Sequence, residues 1–383
     1  MKKVICLLIS VLFILSGCVS QDMPSDEKTE KVSAVWIFYS ELSMLSEQVK
    51  NETTFTSKVT GMFDNCVEWG INTVFLQVRP FSDSFYKSDI YPWSYYLTGK
   101  QGGDIDYDPL QICIDLAHER GIVLHAWINP FRIAVNDDVS LLSDNHPALD
   151  WIKNKTSDVV FVNGGIYYSP ASLSAQKLVI DGVREIVRNY DVDGIHIDDY
   201  FYPSIDKKVD ETYYEQYTGS GGKLTLDEWR LNTVSAFVAQ MYTTVKSENS
   251  SCIFSVSPAG NIRNNYEQQF ADVRLWCSQR GYADWIIPQL YYGFENESLT
   301  FDKALKEWDE LNTIGAVKMI YGIAAYNVNE SDDEWHAGKG IINKQLSLIK
   351  EDDTCNGVAF FSYSSLNDKA RQAEFENIGS IFS

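Results

Sequence analysis

The apolar positions of this chain fall into short runs of β-branched and aromatic residues that alternate with longer stretches of helical period. After the first thirty residues, the runs KVSAVWIFYS, NTVFLQVRP, GIVLHAWINP, VDGIHIDDY, CIFSVSPA, ADWIIPQLYY, VKMIYGIAAY and GVAFFSYSS read as strands. Between them, stretches such as FTSKVTGMFDNCVEWG, PLQICIDLAHERG, AQKLVIDGVREIVRNY, LDEWRLNTVSAFVAQMYTTVKS and FDKALKEWDELN place apolar residues near i, i+3, i+4 and i+7 and read as helices. This alternation predicts an α/β chain folded as a (β/α)8 TIM barrel, with long loops after strands three and four over residues 133–170 and 203–226. A doubly wound open sheet is the rival, but no Gly-rich phosphate turn follows the first strand. The junctions WGINTV and RGIVLH also repeat a helix-capping Gly just before a strand.

The fourth run poses a chemical problem, because DGIHIDDYFYP carries three aspartates and a histidine where a core strand should be. Side chains alternate along a strand, so Ile195 and Ile197 face the helices while His196 and Asp198 face the barrel axis. Asp198 then sits at the C-terminal end, where barrels of this kind keep their active sites. Asp199 points away from the axis if the strand stays regular. Other polar residues at strand ends converge on the same mouth: Glu41, Gln77, Arg79, His125, Asn129, Ser257, Asn261, Gln289, Tyr291 and Tyr292.

Composition narrows the partner. A formal net charge of −21 repels phosphates at long range and argues against nucleic acid, leaving a neutral or weakly charged ligand. Twenty-two Tyr and ten Trp suit stacking on the apolar faces of sugars, although core packing accounts for most such rings. The first residues form an address label: Lys2 and Lys3, an apolar run to Leu15, then Leu15-Ser16-Gly17-Cys18, which resembles the lipobox of bacterial lipoproteins. On that reading residues 1–17 are a signal peptide, Cys18 is lipidated, and residues 18–30 tether a domain spanning 31–383 to the outer side of the cell membrane. Cys66, Cys113, Cys252, Cys277 and Cys355 have no metal-type spacing and read as buried free thiols. His125 and His196 on adjacent strands lack a third ligand at a strand end, so neither a metal nor another cofactor is expected.

The segments AVWI, QVRP, HAWINPFR, YDVDGIHIDDYFYP, EWR with NTVSAFV, SVSPAGNIRN and PQLYY resemble, in order, the signature stretches of the glycosyl-hydrolase-like family 10 proteins of bacteria. The resemblance covers nearly all of the chain after the tether and implies a (β/α)8 glycosidase, frequently a lipoprotein, acting on cell-envelope or other bacterial glycans. Ser82, Ser84, Leu231 and the segment YYSPASLSAQ depart from the family pattern. Glycoside hydrolysis needs two carboxyl groups about one bond. Asp198 is the first choice for nucleophile or base and Asp199 the second. The spacing Asp193-x-x-His196-x-Asp198 also looks like the fourth strand of α-amylase-like barrels, in which the last Asp attacks. The fifth strand ends without a carboxylate, so the general acid is sought among Glu41, Asp83 and Glu295.

Arg79 and Arg132 are placed as ligands of a carboxylate, on the enzyme or on the substrate, and His125 and His196 as hydrogen-bonding partners of substrate hydroxyls or of a catalytic carboxylate. Gln77, Asn129, Tyr200, Tyr202, Asn261, Gln289, Tyr291 and Tyr292 complete the expected substrate-binding set. The long loops, with Trp151, Tyr167, Tyr168, Tyr213, Tyr214 and Tyr217, suggest walls of an extended cleft for a polymer. A membrane-anchored, monomeric glycosidase acting on a bacterial polysaccharide, with peptidoglycan glycan strands among the candidates, is the leading expectation. A catalytically silent glycan-binding lipoprotein on the same barrel is the alternative.

Overall fold

Parallel strands pair in sequence order: β1 (Val32–Ile37), β2 (Thr73–Arg79), β3 (Val123–Ile128), β4 (Gly194–Ile197), β5 (Ile253–Val256), β6 (Trp285–Ile286), β7 (Lys318–Ala324) and β8 (Cys355–Phe361). β8 returns to β1, with Val32 opposite Gly357 and Trp36 opposite Phe361, and closes the expected TIM barrel. The computed structural model describes residues 31–378 except 313, 330–332, 337, 353, 376 and 377. The signal peptide, Cys18 and tether inferred above therefore lie outside the described residues.

Strict alternation separates two cores. Inward side chains of the strands, among them Trp36, Phe75, Trp127, Trp285, Ile287, Ile320 and Ala359, form one apolar cluster that fills the barrel. Outward side chains such as Val35, Leu76, Ile195, Ile197 and Phe254 join the larger cluster beneath the helices. The cover is made by α1 (Glu52–Glu68), α2 (Pro109–His118), α3 (Leu173–Asn189), α4 (Leu226–Glu248), α5 (Phe301–Asp309) and α6 (Ile341–Glu351). Four of their starts, those of α1 to α4, are set by side chains that accept otherwise orphaned N–H groups: Asn51, Asp108 and Ser172, and a reciprocal Thr225–Glu228 capping box before α4. All five cysteines of the domain are buried and free.

Two stretches differ from the pattern read in the sequence. ADWIIPQLYY yields a strand of only two residues, because Pro288 has no N–H to continue the ladder; Gln289 is then re-attached to its neighbours by bridges to Ala259 and Gly322. The long loop after β3 contains a three-stranded antiparallel sheet of Arg132–Ala134, Val159–Val162 and Gly165–Tyr168. Its hairpin turns at Asn163 and Gly164, both at positive φ (53° and 74°), as a two-residue turn of matching twist requires.

Candidate active site

The end of β4 places two carboxylates in one cleft. The ladder runs to Ile197, whose carbonyl accepts from Ser257 N at 2.8 Å; beyond it the chain turns, with Phe201 N bonded to Asp199 O at 3.0 Å. Alternation stops with the ladder, so Asp199 is not carried to the helix side and lines the same space as Asp198. Asp198 is 4% exposed. Its Oδ2 accepts from Asn129 Nδ2 at 2.6 Å and Trp127 Nε1 at 3.2 Å, while Oδ1 has only a long bond from Tyr200 N at 3.4 Å. Asp199 accepts from Gln289 Nε2 at 3.3 Å.

The amide orientations behind Asp198 are fixed by a group that can only donate. Tyr39 N–H donates to Gln77 Oε1 at 3.1 Å, which turns Gln77 Nε2 toward Asn129 Oδ1 and so presents Asn129 Nδ2–H to the carboxylate. Gln77 and Asn129 are almost fully buried, so a member of this relay left without its partner is costly. Burial pushes the Asp198 carboxyl up to about 7, with the Asp199 charge adding to the rise and Arg132 opposing it. Burial raises Asp199 as well. The charge of one disfavours ionisation of the other, so the two carboxyls do not ionise independently.

The cleft has a volume of ≈ 340 Å³, within the range of ligand sites. Its lining joins the carboxylates to Gln77, Asn129, Arg132 and Gln289, and to the rings of Trp36, Phe38, Tyr39, Trp127, Tyr200, Tyr291, Tyr326 and Phe361. Arg132 is stacked on Tyr200, its guanidinium carbon 3.9 Å from the ring centre. A groove of ≈ 450 Å³ between α3 and α4 is more spacious, but Lys177 there is exposed and the half-buried Arg184 is already paired with Asp181 and Glu248.

Residues 31–337 match the family described as Glycosyl hydrolase-like 10. The chain belongs to that family. Glycosyl hydrolase YngK of Bacillus subtilis (strain 168) is 35% identical over 332 residues, covering 80% of this chain and 62% of the relative. The chain thus spans under two thirds of the length of YngK. Glycosyl hydrolase DigH of Escherichia coli (strain K12) is 32% identical over 342 residues, covering 81% of this chain and 76% of the relative. Among solved structures, the PgaB (BpsB) glycoside hydrolase domain from Bordetella bronchiseptica superposes with a TM-score of 0.66 at 9% identity, covering 92% of this chain and 99% of that one. A β-galactosidase from Rahnella sp. R3 gives 0.58 at 12% identity, over 94% and 56% of the two chains. At such identities the likeness is one of fold. The chain thus stands among the glycosyl hydrolase-like proteins, on a barrel fold shared with the PgaB domain.

Several residues expected at this family member's mouth stand elsewhere. His125 and His196 are fully buried beneath the floor: Trp36 Nε1–H donates to His196 Nε2 at 3.0 Å, and both histidines bond Ser255 Oγ through Nδ1, at 2.9 and 2.8 Å. Burial lowers the pKa of each, to about 3 for His125. Neither lines the cleft. Arg79 lies beyond a register shift in β2 that turns it outward, where it bonds Tyr91 Oη and lies beside Gly182 of α3. Tyr202 is buried with its hydroxyl on Asp210 at 3.0 Å, beside the Arg230–Asp210 ion pair. Asn261 caps the helix Ile262–Gln268, and Tyr292 is outside the cleft lining.

None of the three acids nominated as proton donor lines the cleft either. Glu41 is tied down by Phe38 N at 2.9 Å, Ser362 Oγ at 2.9 Å and Ser364 N at 2.6 Å, and burial raises its pKa. Asp83 is 1% exposed and holds the loop after β2 through Ser94, Tyr95 N, Gln101 and Phe81; burial pushes it up to about 6. Glu295 is exposed at a separate groove with Glu334 and Lys344. The rings of Trp36, Phe38, Tyr39, Trp127, Tyr326 and Phe361 join the lining without being among the residues expected from the sequence. Their signal lay in aromatics within or just past the strand runs, in VWIFYS, HAWI, IAAY and AFFSY.

Proposed function

We propose that this chain hydrolyses O-glycosidic bonds in a bacterial polysaccharide, with Asp198 and Asp199 as the working carboxylates. The carrying observation is that the two line one aromatic cleft at the C-terminal end of β4 and are both pushed toward protonation by burial. A pair that shares a proton can do both halves of the chemistry. One carboxyl gives its proton to the leaving oxygen as the anomeric C–O bond breaks; the other stabilises the positive charge on the ring and takes a proton from the water that adds to the anomeric carbon. The names of YngK and DigH, both glycosyl hydrolases, support the reading.

The lipobox-like Leu15–Cys18 segment supports anchoring on the outer side of the cell membrane, where peptidoglycan glycan strands are a polymer at hand. Reducing-end release from purified glycan strands tests the activity, and Asp198→Asn and Asp199→Asn test the site. Cys18→Ala should move the protein from membrane to soluble fractions. A glycan-binding protein without turnover is the competing reading, favoured by the fact that among the described residues only these two adjacent carboxylates line the cleft. Tight binding with no new reducing ends would select it.

A further inference from the structure

The aromatic wall of the cleft continues beyond the cleft. Phe38 stacks on Phe361 with ring centres 5.8 Å apart and meets Tyr39 edge-on at 6.0 Å. Tyr39 lies 4.5 Å from Tyr96, and Tyr96 lies 5.5 Å from Tyr95. The first three of these residues line the cleft; Tyr95 does not, and it is 46% exposed. The series therefore leads from beside the carboxylates out to solvent across the loops after β1 and β2.

The far end of this path is held in place. Tyr95 begins a short helical turn (Tyr95–Thr98) whose first N–H bonds Asp83 Oδ2 at 3.4 Å, and Met44 N bonds Tyr96 O at 2.9 Å, tying the two loops together. Asp83, buried and surrounded by donors, thus acts as the anchor of this platform. A ring fixed before the ligand arrives loses little freedom on binding. The rings of the long loops differ: Tyr213 Oη bonds Asp158, Tyr214 Oη bonds Leu224 O, and Tyr217 packs on Trp229 at 6.0 Å. Those side chains hold the two long loops to themselves and to each other.

We propose that Tyr95, backed by Tyr96 and Tyr39, is a distal subsite for a glycan chain, so that a bound polymer leaves the carboxylate pair across the loops after β1 and β2. The occupant is a sugar chain because the path is continuous with the cleft and is made of aromatic rings, with no Lys or Arg among the residues that form it. This rests on the glycosidase reading above.

The test uses the full-length protein with di-, tetra- and octasaccharides prepared from peptidoglycan glycan strands. Tyr95→Ala should raise KM for the octasaccharide about three- to tenfold more than for the disaccharide, the range of a lost ring contact, with kcat little changed. Tyr95→Phe should keep most of the long-chain preference. Phe161→Ala removes a ring of matching exposure (45%) on the loop after β3 and should leave the length dependence as it is in the parent protein. Hydrolysis with a length dependence untouched by Tyr95→Ala, or shifted by Phe161→Ala instead, overturns the subsite and leaves the hydrolase reading standing. If the parent turns over none of the chains, binding decides: weaker octasaccharide binding by Tyr95→Ala keeps the subsite while hydrolysis falls, and no binding by the parent overturns both.

Discussion

His196 in β4 and Asp198 just past its end stand two positions apart on the same inward row, both almost completely buried and both pushed toward the neutral form. Their surroundings separate them. Below the floor, His196 is closed in by Phe75 with ring centres 4.3 Å apart and bonded through both nitrogens, so it belongs to the packed interior. Above it, Asp198 has one oxygen held by two side-chain donors and the other facing a cleft. A displaced pKa marks burial in both places, and only access to a ligand makes one of them a candidate for chemistry.

The largest expected effect falls above the floor. Asp198→Asn and Asp199→Asn should each lower turnover by about 10²–10⁴-fold, as loss of a general acid or base does, while the thermal midpoint holds or rises because a buried acid has been replaced by an amide. Activity that survives both substitutions would remove the distinction. Below the floor, His196→Leu takes the acceptor from Trp36 N–H and the donor from Ser255 Oγ. Unfolding should become easier by about 1–3 kcal/mol, read by denaturant titration, with little of the loss recovered by substrate.

A smaller and more selective effect lies in pH. Asp198 keeps its proton when folded where the unfolded chain has lost it, so its contribution to stability is full below 3.8 and disappears as pH rises through about 7. The histidines act in the opposite sense: unfolded, they take up protons below 6.5 that the folded barrel refuses, so stability drops as pH falls from there toward about 3. Asp198→Asn should therefore raise the thermal midpoint more at about pH 8 than at about pH 4.5. An equal gain at both would show that the carboxyl is already ionised in the fold. The smallest effect is expected for Tyr202→Phe, which removes one hydrogen bond under the loop after β4, costs about 1 kcal/mol, and leaves the use of short and long glycans in unchanged proportion.

Alternation along β4 was enough to put His196 and Asp198 on the axis and the isoleucines under the helices, because a period of two depends only on local backbone geometry. It failed wherever the backbone left that period. The register shift in β2 sends Arg79 to α3, and the turn after Ile197 brings Asp199 into the cleft. Depth was also hidden: His125 and Asn129 share one inward row, yet the first is sealed beneath the floor and the second reaches Asp198. Which acid serves a loop and which serves a site depends on contacts distant in sequence, as with Glu41 and Ser362 or Asp83 and Gln101. No pattern within a single segment encodes those.

The line from Tyr39 N–H through Gln77 and Asn129 to Asp198 gives the cleft a direction of information as well as a shape. Each amide has one donating and one accepting end, so the sense of the first bond dictates the sense of the last. A single oxygen-for-nitrogen exchange at Gln77 sets acceptor against acceptor and leaves Asn129 to satisfy either its neighbour or the carboxylate, although almost no volume has changed. The reactivity of Asp198 is thereby made answerable to the backbone of the loop after β1, the same loop whose rings begin the path toward Tyr95. A glycan bound along that path would lie against Tyr39, the residue whose N–H sets the sense of the relay.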